Sequence, residues 1–503
     1  MVKSIEETYI KMKPEDHILE ISDTYVGSKE LTEVETYLME DDRMKKKTIF
    51  YTPALYKIFD EVLVNAADQH VRSKTNNLEN PVNIIKVNID KENNEIKIYN
   101  NGEGIDIILH SEHNIYIVEL LFGNLLTSAN YDKSEDKITG GKNGYGAKLA
   151  NIFSTMFQVV TVDSKRKLKY VQTWENNMSI KSKPKITKYN SKPYTEITFK
   201  PDLKRFNLME LSDENIQIMK KRVYDMTACT DSTLMVYFND EKINCKMFEK
   251  YIEYYIGDKN ETPKVYEQVS DRWAVGVCLS NDDKFEQISF VNSLCTFKGG
   301  KHVDYVSNQI AKKLQIFAEK KGVNRKKYKL KTNIIKDNMM IFIRSTISNP
   351  SFDSQTKEYC TTVSSKFGSK FEISDKFIEK MSKLGIIEKA AKFEEYKNNN
   401  TIAKTDGKKK NVIKIPKLDD ANWAGTNKSQ QCTLILTEGD SAKSFAVSGL
   451  AKVGRNQFGV FPLRGKMLNV RDCNNKKVAE NAEINNIKKI LGLQQFKTGT
   501  KLK

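Results

Sequence analysis

The sequence predicts a mixed α/β protein, and three observations carry that expectation. Leu55, Ile58, Phe59, Val62 and Leu63 recur at i, i+3, i+4, i+7 and i+8, the spacing of an amphipathic helix. Residues 84–89, 95–99 and 195–199 alternate apolar and polar side chains, the period of half-buried strands. The run Thr139-Gly140-Gly141-Lys142-Asn143-Gly144-Tyr145-Gly146-Ala147-Lys148 sets four glycines just ahead of an apolar run at helical spacing (Leu149, Ile152, Phe153). At 503 residues the chain exceeds what one core supports, so two to four domains are expected.

In chain order, the first helix carries Glu61 and Asn65 as i, i+4 neighbours, with Asp68 a turn further along the same stripe. Asn and Asp are poor helix formers, an odd choice for a merely solvated face. The functional reading is a carboxylate that orients a water and an amide oxygen that ligates Mg2+. The strand at 95–99 runs into Asn100-Asn101-Gly102-Glu103-Gly104, which is equally an ordinary hairpin turn. Leu126-Thr127-Ser128-Ala129-Asn130 offers small polar groups that suit a ribose or a helix cap alike. The glycine run reads as an anion site, because free N–H groups and the helix dipole point at whatever sits before the helix. Its spacing is not G-x-x-x-x-G-K-[ST], which excludes the common phosphate loop.

Further on, residues 159–174 read as a hairpin turning near 164–167, residues 273–279 and 339–345 as strands, and 303–321 as a helix. Between Lys320 and Lys331, seven of twelve positions are basic, including Arg325, Lys326, Lys327 and Lys329. That run is either a solvated loop or a phosphate-contacting one. The Lys- and Asn-rich stretch at 397–411 reads as an exposed linker. Residues 432–437 form a short apolar run read as a buried strand, ending at Glu438-Gly439-Asp440-Ser441-Ala442, where Asp440 or Ser441 suits a helix N-cap.

A formal charge of +17 favours a polyanionic partner, although the many Lys and Asn tracts equally fit an AT-rich coding sequence. Seven cysteines without a C-x-x-C pair suit free thiols in a reducing compartment. No apolar stretch approaches membrane-spanning length and the charged N-terminus is not signal-like, so no membrane partner and an intracellular protein are expected.

The order E-x-x-x-N-A-x-D, N-x-G-x-G and T-G-G-x-N-G-Y-G-A-K resembles the ATP site shared by gyrase, heat-shock chaperones, histidine kinases and mismatch-repair proteins. Its wording is most similar to eukaryotic-type type IIA DNA topoisomerases. The match continues through Phe290-Val291-Asn292-Ser293, Lys298-Gly299-Gly300-Lys301-His302-Val303-Asp304-Tyr305 and Asn349-Pro350-Ser351-Phe352-Asp353-Ser354-Gln355-Thr356-Lys357. It resumes at Lys417-Leu418-Asp419-Asp420-Ala421-Asn422, Thr437-Glu438-Gly439-Asp440-Ser441-Ala442 and Pro462-Leu463-Arg464-Gly465-Lys466.

The resemblance implies a GHKL-type ATPase α/β sandwich at 1–237 and a ribosomal-S5-like α/β transducer at 238–396. A linker at 397–431 and a partial Rossmann-like Toprim segment at 432–503 would follow. It further implies ATP and Mg2+ as cofactors, with Glu61 as the base that activates water and Asn65 holding the Mg2+. Asn100 would help to seat the nucleotide beside the adenine, and Ser128 and Asn130 would contact the ribose end. Gly141, Lys142, Asn143, Gly144, Tyr145, Gly146, Ala147 and Lys148 would wrap the triphosphate. Gln355 and Lys357 would reach the γ-phosphate from the transducer, and Tyr9 would cover the nucleotide of the opposing subunit. Glu438 would bind a Toprim Mg2+, and Arg325, Lys326, Lys327 and Lys329 would approach DNA.

Three positions depart from the family pattern: Ile21-Ser22 replaces Arg-Pro, Ala129 a serine and Trp423 an acidic residue. No D-x-D follows Glu438, and the DNA-cleaving tyrosine lies much further along in the family. The implied function is therefore the ATP-hydrolysing gate of such an enzyme, homodimerising through its ATPase domains to capture double-stranded DNA. A cleavage core on the longer chain or a second subunit would cut the DNA. The implied residence is a nucleus, or the viral factory of a large DNA virus. A mismatch-repair or chaperone-type clamp gives no reason for the Glu438 motif. A histidine-type kinase would need a phosphoacceptor context that none of the five histidines has. A non-catalytic DNA-binding dimerisation fragment is the remaining alternative.

Overall fold

The computed structural model describes residues 11–127, 138–141, 144–258, 260–282, 284–322, 330–403, 415–470, 473 and 475–493. The chain divides into two compact units, 1–313 with 336–384, and 314–335 with 385–503.

In the first unit, two short helices, Pro14–Glu20 and Asp23–Val26, precede a hairpin of β1 (Thr32–Glu40) and β2 (Arg43–Tyr51). A nine-stranded sheet follows, built from β3 (Ile84–Asp90), β4 (Glu95–Asn101), β5 (Ser154–Asp163), β6 (Leu168–Glu175), β7 (Ile180–Lys181), β8 (Lys185–Lys188), β9 (Tyr194–Pro201), β10 (Met235–Phe238) and β11 (Glu241–Lys242). Its order is β11-β10-β3-β4-β9-β5-β6-β7, with β8 also on β6. The strands alternate as their period requires. Ile85, Val87, Ile96, Ile98, Ile197 and Phe199 enter the core, while Lys86, Lys97 and Tyr99 stand on the opposite face. The sheet continues to Lys242, past the domain end expected at 237.

The helix Pro53–Thr75 lies on the core face, with Pro at its start, where a missing N–H costs nothing. The N–H of its N-cap, Thr52, is bonded by Asn215 Oδ1 at 3.1 Å, from the helix Asp213–Cys229. Leu55, Ile58, Phe59, Val62 and Leu63 are all buried, so the periodicity read from the sequence is the packing stripe.

A second, five-stranded sheet has the order β12-β13-β16-β14-β15, from β12 (Lys264–Ser270), β13 (Trp273–Leu279), β14 (Glu286–Val291), β15 (Leu294–Cys295) and β16 (Met339–Ser345). β13 and β16 have the bounds the sequence predicts. The buried Trp273 ring packs 5.6 Å from Phe367 and 5.7 Å from Phe371. The helix Lys301–Lys321 starts two residues before the expected 303, directly after Gly300. There a Cβ would fall 2.5 Å from the carbonyl oxygen of Cys360, so only glycine fits the approach. One hydrophobic core runs from the helices on the nine-stranded sheet to Phe290, Met340 and Phe342 of the smaller one.

In the second unit, the helix Ile386–Ala403 runs into the stretch expected to be a linker. Its sequence from Glu388 through Glu395, just before that stretch, is rich in Ala, Glu and Lys, strong helix formers, and the helix carries on into residues 397–403. Residues 404–414 lie outside the described residues. β17 (Thr433–Glu438) pairs in parallel with β18 (Phe458–Leu463) across the helix Gly439–Val453. The strand expected to be buried is only half covered, with Leu436 41% exposed, because two strands and one crossover helix leave one side of the pair open among the described residues.

Candidate active site

The stripe on the helix Pro53–Thr75 divides into distinct environments. Glu61 is 3% exposed, and its Oε1 is paired with Lys57 Nζ at 2.6 Å and Lys357 Nζ at 3.1 Å. Lys57 comes from one turn earlier on the same helix, whereas Lys357 arrives from a loop 296 residues away. Burial alone would raise the carboxyl's pKa; the Lys357 and Lys57 charges outweigh it and hold Glu61 down at about 2. Glu61 is therefore a carboxylate near neutral pH.

Its other oxygen faces Gly146, the first residue of the helix Gly146–Ile152. A Cβ on Gly146 would lie 2.5 Å from Glu61 Oε2 and 3.5 Å from Asn65 Nδ2. This glycine lets the start of the helix come against both groups.

Asp68, 1% exposed, accepts the backbone N–H of Gly140 on Oδ1 and of Gly141 on Oδ2, both at 2.8 Å. Burial raises its pKa despite those two bonds. Its work is to fix the glycine segment to the helix.

Lys148 is 4% exposed and donates to the carbonyls of Thr127 at 2.5 Å and Gly144 at 2.8 Å. Burial pushes its pKa down to about 8. Tyr145 meets Tyr25 edge to face at 5.7 Å, and Tyr25 is hydrogen-bonded through its hydroxyl to His17 Nδ1 at 3.1 Å.

The turn after β4 needs its glycines for contact as well as for conformation. Gly104 has φ +77°, and a Cβ there would fall 1.9 Å from the carbonyl oxygen of Val162 on β5. Asn101 accepts the N–H groups of Asn83 and Ile84 at 2.9 and 2.8 Å, while Asn100 donates to the Asn101 carbonyl at 2.8 Å. The segment is not a hairpin turn: β4 pairs with β3 before it and with β9, and among the described residues no strand directly after the turn pairs back on β4. Asn100, Asn101 and Gly104 line the cavity instead.

Lys357 has a left-handed backbone (φ +61°), costly for a residue with a Cβ and held here by burial and its contacts. Besides Glu61, its Nζ donates to the Gly140 carbonyl at 3.4 Å.

Glu61, Asn65, Asn100, Gly141, Gly144, Tyr145, Gly146, Ala147, Lys148, Gln355 and Lys357 all line one cavity of about 380 Å3. Tyr9, Ser128, Asn130, Lys142, Asn143, Arg325, Lys326, Lys327 and Lys329 lie outside the described residues. Glu438 is exposed at the end of β17. Among the described residues it belongs to no trio of His, Cys or acidic side chains converging as a metal site would require.

Sequence reasoning missed Lys57, whose signal was a lysine at i−4 from Glu61 among the buried residues of the helix. It also missed Arg222, fully buried, which donates from Nε to Asp60 Oδ1 at 2.6 Å and from Nη2 to the Ser293 carbonyl at 2.7 Å. These partners are 162 and 71 residues away, so no local pattern announces them.

Comparison with known proteins gives consistent relatives. The family described as "Histidine kinase-, DNA gyrase B-, and HSP90-like ATPase" matches residues 51–205, and "DNA gyrase B" matches residues 248–407. The chain is 50% identical over 501 residues to the "Probable DNA topoisomerase 2" of Dictyostelium discoideum, covering 98% of this chain and 32% of that protein. It is 46% identical over 510 residues to "DNA topoisomerase 2" of Acanthamoeba polyphaga mimivirus, covering 100% of this chain and 40% of that one. The chain thus spans about a third of the length of the curated relatives it matches.

Among solved structures, the ATPase region of Saccharomyces cerevisiae topoisomerase II superposes with a TM-score of 0.72 at 42% identity, over 78% of this chain and 100% of that one. The ATPase and transducer domains of topoisomerase II from Balamuthia mandrillaris give 0.73 at 42%, over 78% and 99%. The expected mixed α/β architecture is that of these structures.

Proposed function

We propose a function for this chain from the family to which it belongs: it is a member of the eukaryotic-type type IIA DNA topoisomerases, matching their ATPase and transducer region. Its function is to bind and hydrolyse ATP and, by dimerising on ATP, to act as the gate that captures a double-stranded DNA segment for strand passage. The observation that carries this reading is the buried Glu61 carboxylate, with one oxygen on two lysines and the other facing Gly146 in the cavity.

ATP is seated against Asn100, with its phosphates on the glycine segment that Asp68 fixes. Asn65 lines the cavity with its Nδ2 turned to the close-approaching Gly146 backbone, and its amide oxygen is the group that would hold a phosphate-bound Mg2+. That ion, when bound, offsets charge on the phosphate oxygens. Glu61 accepts the proton of the attacking water as its oxygen bonds to the γ-phosphorus and the bond to the leaving ADP oxygen breaks. Lys357 exchanges Glu61 for the γ-phosphate, so the transducer loop reports which nucleotide is bound. Tyr9 of one subunit closes over the other subunit's nucleotide. Glu438 would need further carboxylates to build a cleavage metal site, so DNA cleavage belongs to the remaining core of the enzyme. The expected location is nuclear, or a viral factory.

Steady-state ATP hydrolysis across a wide range of protein concentration, beside Glu61→Ala, tests the reading. The rate per subunit is expected to rise with concentration and to vanish in the variant. Mg-ATP binding without turnover would reduce the chain to a nucleotide-operated clamp, and turnover surviving in Glu61→Ala would remove Glu61 from the chemistry.

A further inference from the structure

The turn between β14 and β15 is two residues long, and both are left-handed: Asn292 at φ +49° and Ser293 at φ +65°. That is the backbone of a tight two-residue hairpin, in which asparagine is at home and serine is strained. The turn does more than reverse the chain.

The Asn292 side chain, buried, pairs with both backbone polar groups of Ile347. Its Oδ1 accepts the Ile347 N–H and its Nδ2 donates to the Ile347 carbonyl, each at 2.8 Å. The Asn292 N–H adds a bond to the Ser345 carbonyl at 3.1 Å. The end of β16 is therefore fastened to the turn, and the chain leaving it reaches Lys357 ten residues after Ile347.

The turn also abuts the glycine segment, since a Cβ on Gly140 would lie 3.1 Å from the Asn292 carbonyl oxygen. Gly140 supplies the second acceptor of Lys357. The Ser293 carbonyl, finally, receives Arg222, whose other arm holds Asp60, the neighbour of Glu61. One turn thus touches the origin of the lysine loop, the Gly140 acceptor and the support of the Glu61 helix.

We propose that Asn292 is a positioning residue for ATP turnover, clamping the backbone at Ile347 so that the loop beyond it delivers Lys357 to the γ-phosphate. This rests on the reading of Lys357 given above. Asn292 need not touch the nucleotide; it sets where the loop begins.

Asn292→Gly is the sharper variant, because glycine accepts φ +49° without strain and only the clamp is lost. Asn292→Asp, nearly isosteric, keeps the acceptor and sets a carboxylate against the Ile347 carbonyl, and serves if the glycine variant does not fold. The measurements are kcat and KM for ATP, and the affinities for ADP and a non-hydrolysable ATP analogue, in the 503-residue chain. The expected result is a fall in kcat of about tenfold, ADP affinity within about twofold of the parent, and loss of most of the preference for the triphosphate. Lys357→Ala is expected to lose the same preference, and the double variant to be no worse than Lys357→Ala alone. Equal weakening of ADP and the analogue, or effects that multiply in the double variant, would overturn the proposal and leave Asn292 a fold residue. A Lys357→Ala protein that keeps its triphosphate preference would instead sink the reading of Lys357.

Discussion

Lys148 and Glu61 are both buried charged groups, and they differ in what compensates them. Glu61 has two cations at bonding distance, whereas Lys148 has two carbonyl oxygens, dipoles that stabilise an ammonium less than a full charge does. Its pKa of about 8 lies below lysine's ordinary value near 10.5, so between those values the unfolded chain holds a proton that the folded chain has released. Stability contributed by this residue is lowest below pH 8 and rises up to about pH 10.5. Urea unfolding of the nucleotide-free chain against Lys148→Met is expected to show the difference moving in favour of the parent by on the order of 3 kcal/mol across that window. A pH-independent difference would mean that the amine is not desolvated as its surroundings indicate. Asp68 differs again: in the sequence it only shares the stripe of Glu61 and Asn65, and in the fold both its oxygens are spent on backbone N–H groups, contacts 72 and 73 residues distant that only the fold reveals.

Among elements, the β4 turn is where close approach is least forgiving. Gly104→Ala would have to displace the Val162 carbonyl and hold alanine at φ +77° at once. The expected cost exceeds about 3 kcal/mol, read as a drop in the unfolding midpoint, since both overpacking and backbone strain act on one site. A variant as stable as the parent would mean that the turn after β4 moves away from Val162 on β5 at little cost.

The elements that sequence periodicity found were those whose pattern is local. The stripe of the 53–75 helix falls where the side-chain period puts it, and strands β13 and β16 fall on short apolar runs buried on both faces. The helix Ile386–Ala403 enters the first residues of the expected linker for an equally local reason: the Ala, Glu and Lys just before it favour helix. The roles of the site residues could not be read from periodicity at all and came from family motifs. Arg222 and Asn292 carry their weight through long-range partners, and their chemistry appears only once the helix, the turn and the lysine loop are brought together.

On the scale of the whole molecule, the charge of +17 is its broadest property. If the run from Lys320 to Lys331 contacts DNA phosphates, neutralising Arg325, Lys326 and Lys327 together is expected to weaken DNA-stimulated ATP hydrolysis. The log–log salt slope of binding should fall by about one unit per lost contact. An unchanged slope would return the run to an ordinary solvated loop. Among the described residues no helix is long and apolar enough to cross a membrane.

Lys57 and Glu61 ride on the same helix, one turn apart, so their pairing travels with the helix wherever the lysine loop goes. On the proposed reading, departure of Lys357 would not strand a bare anion in the cavity, because a resident counter-ion would stay behind. Commitment and release would thereby be separated: Lys57 would stay with the acceptor while Lys357 answers whichever anion arrives.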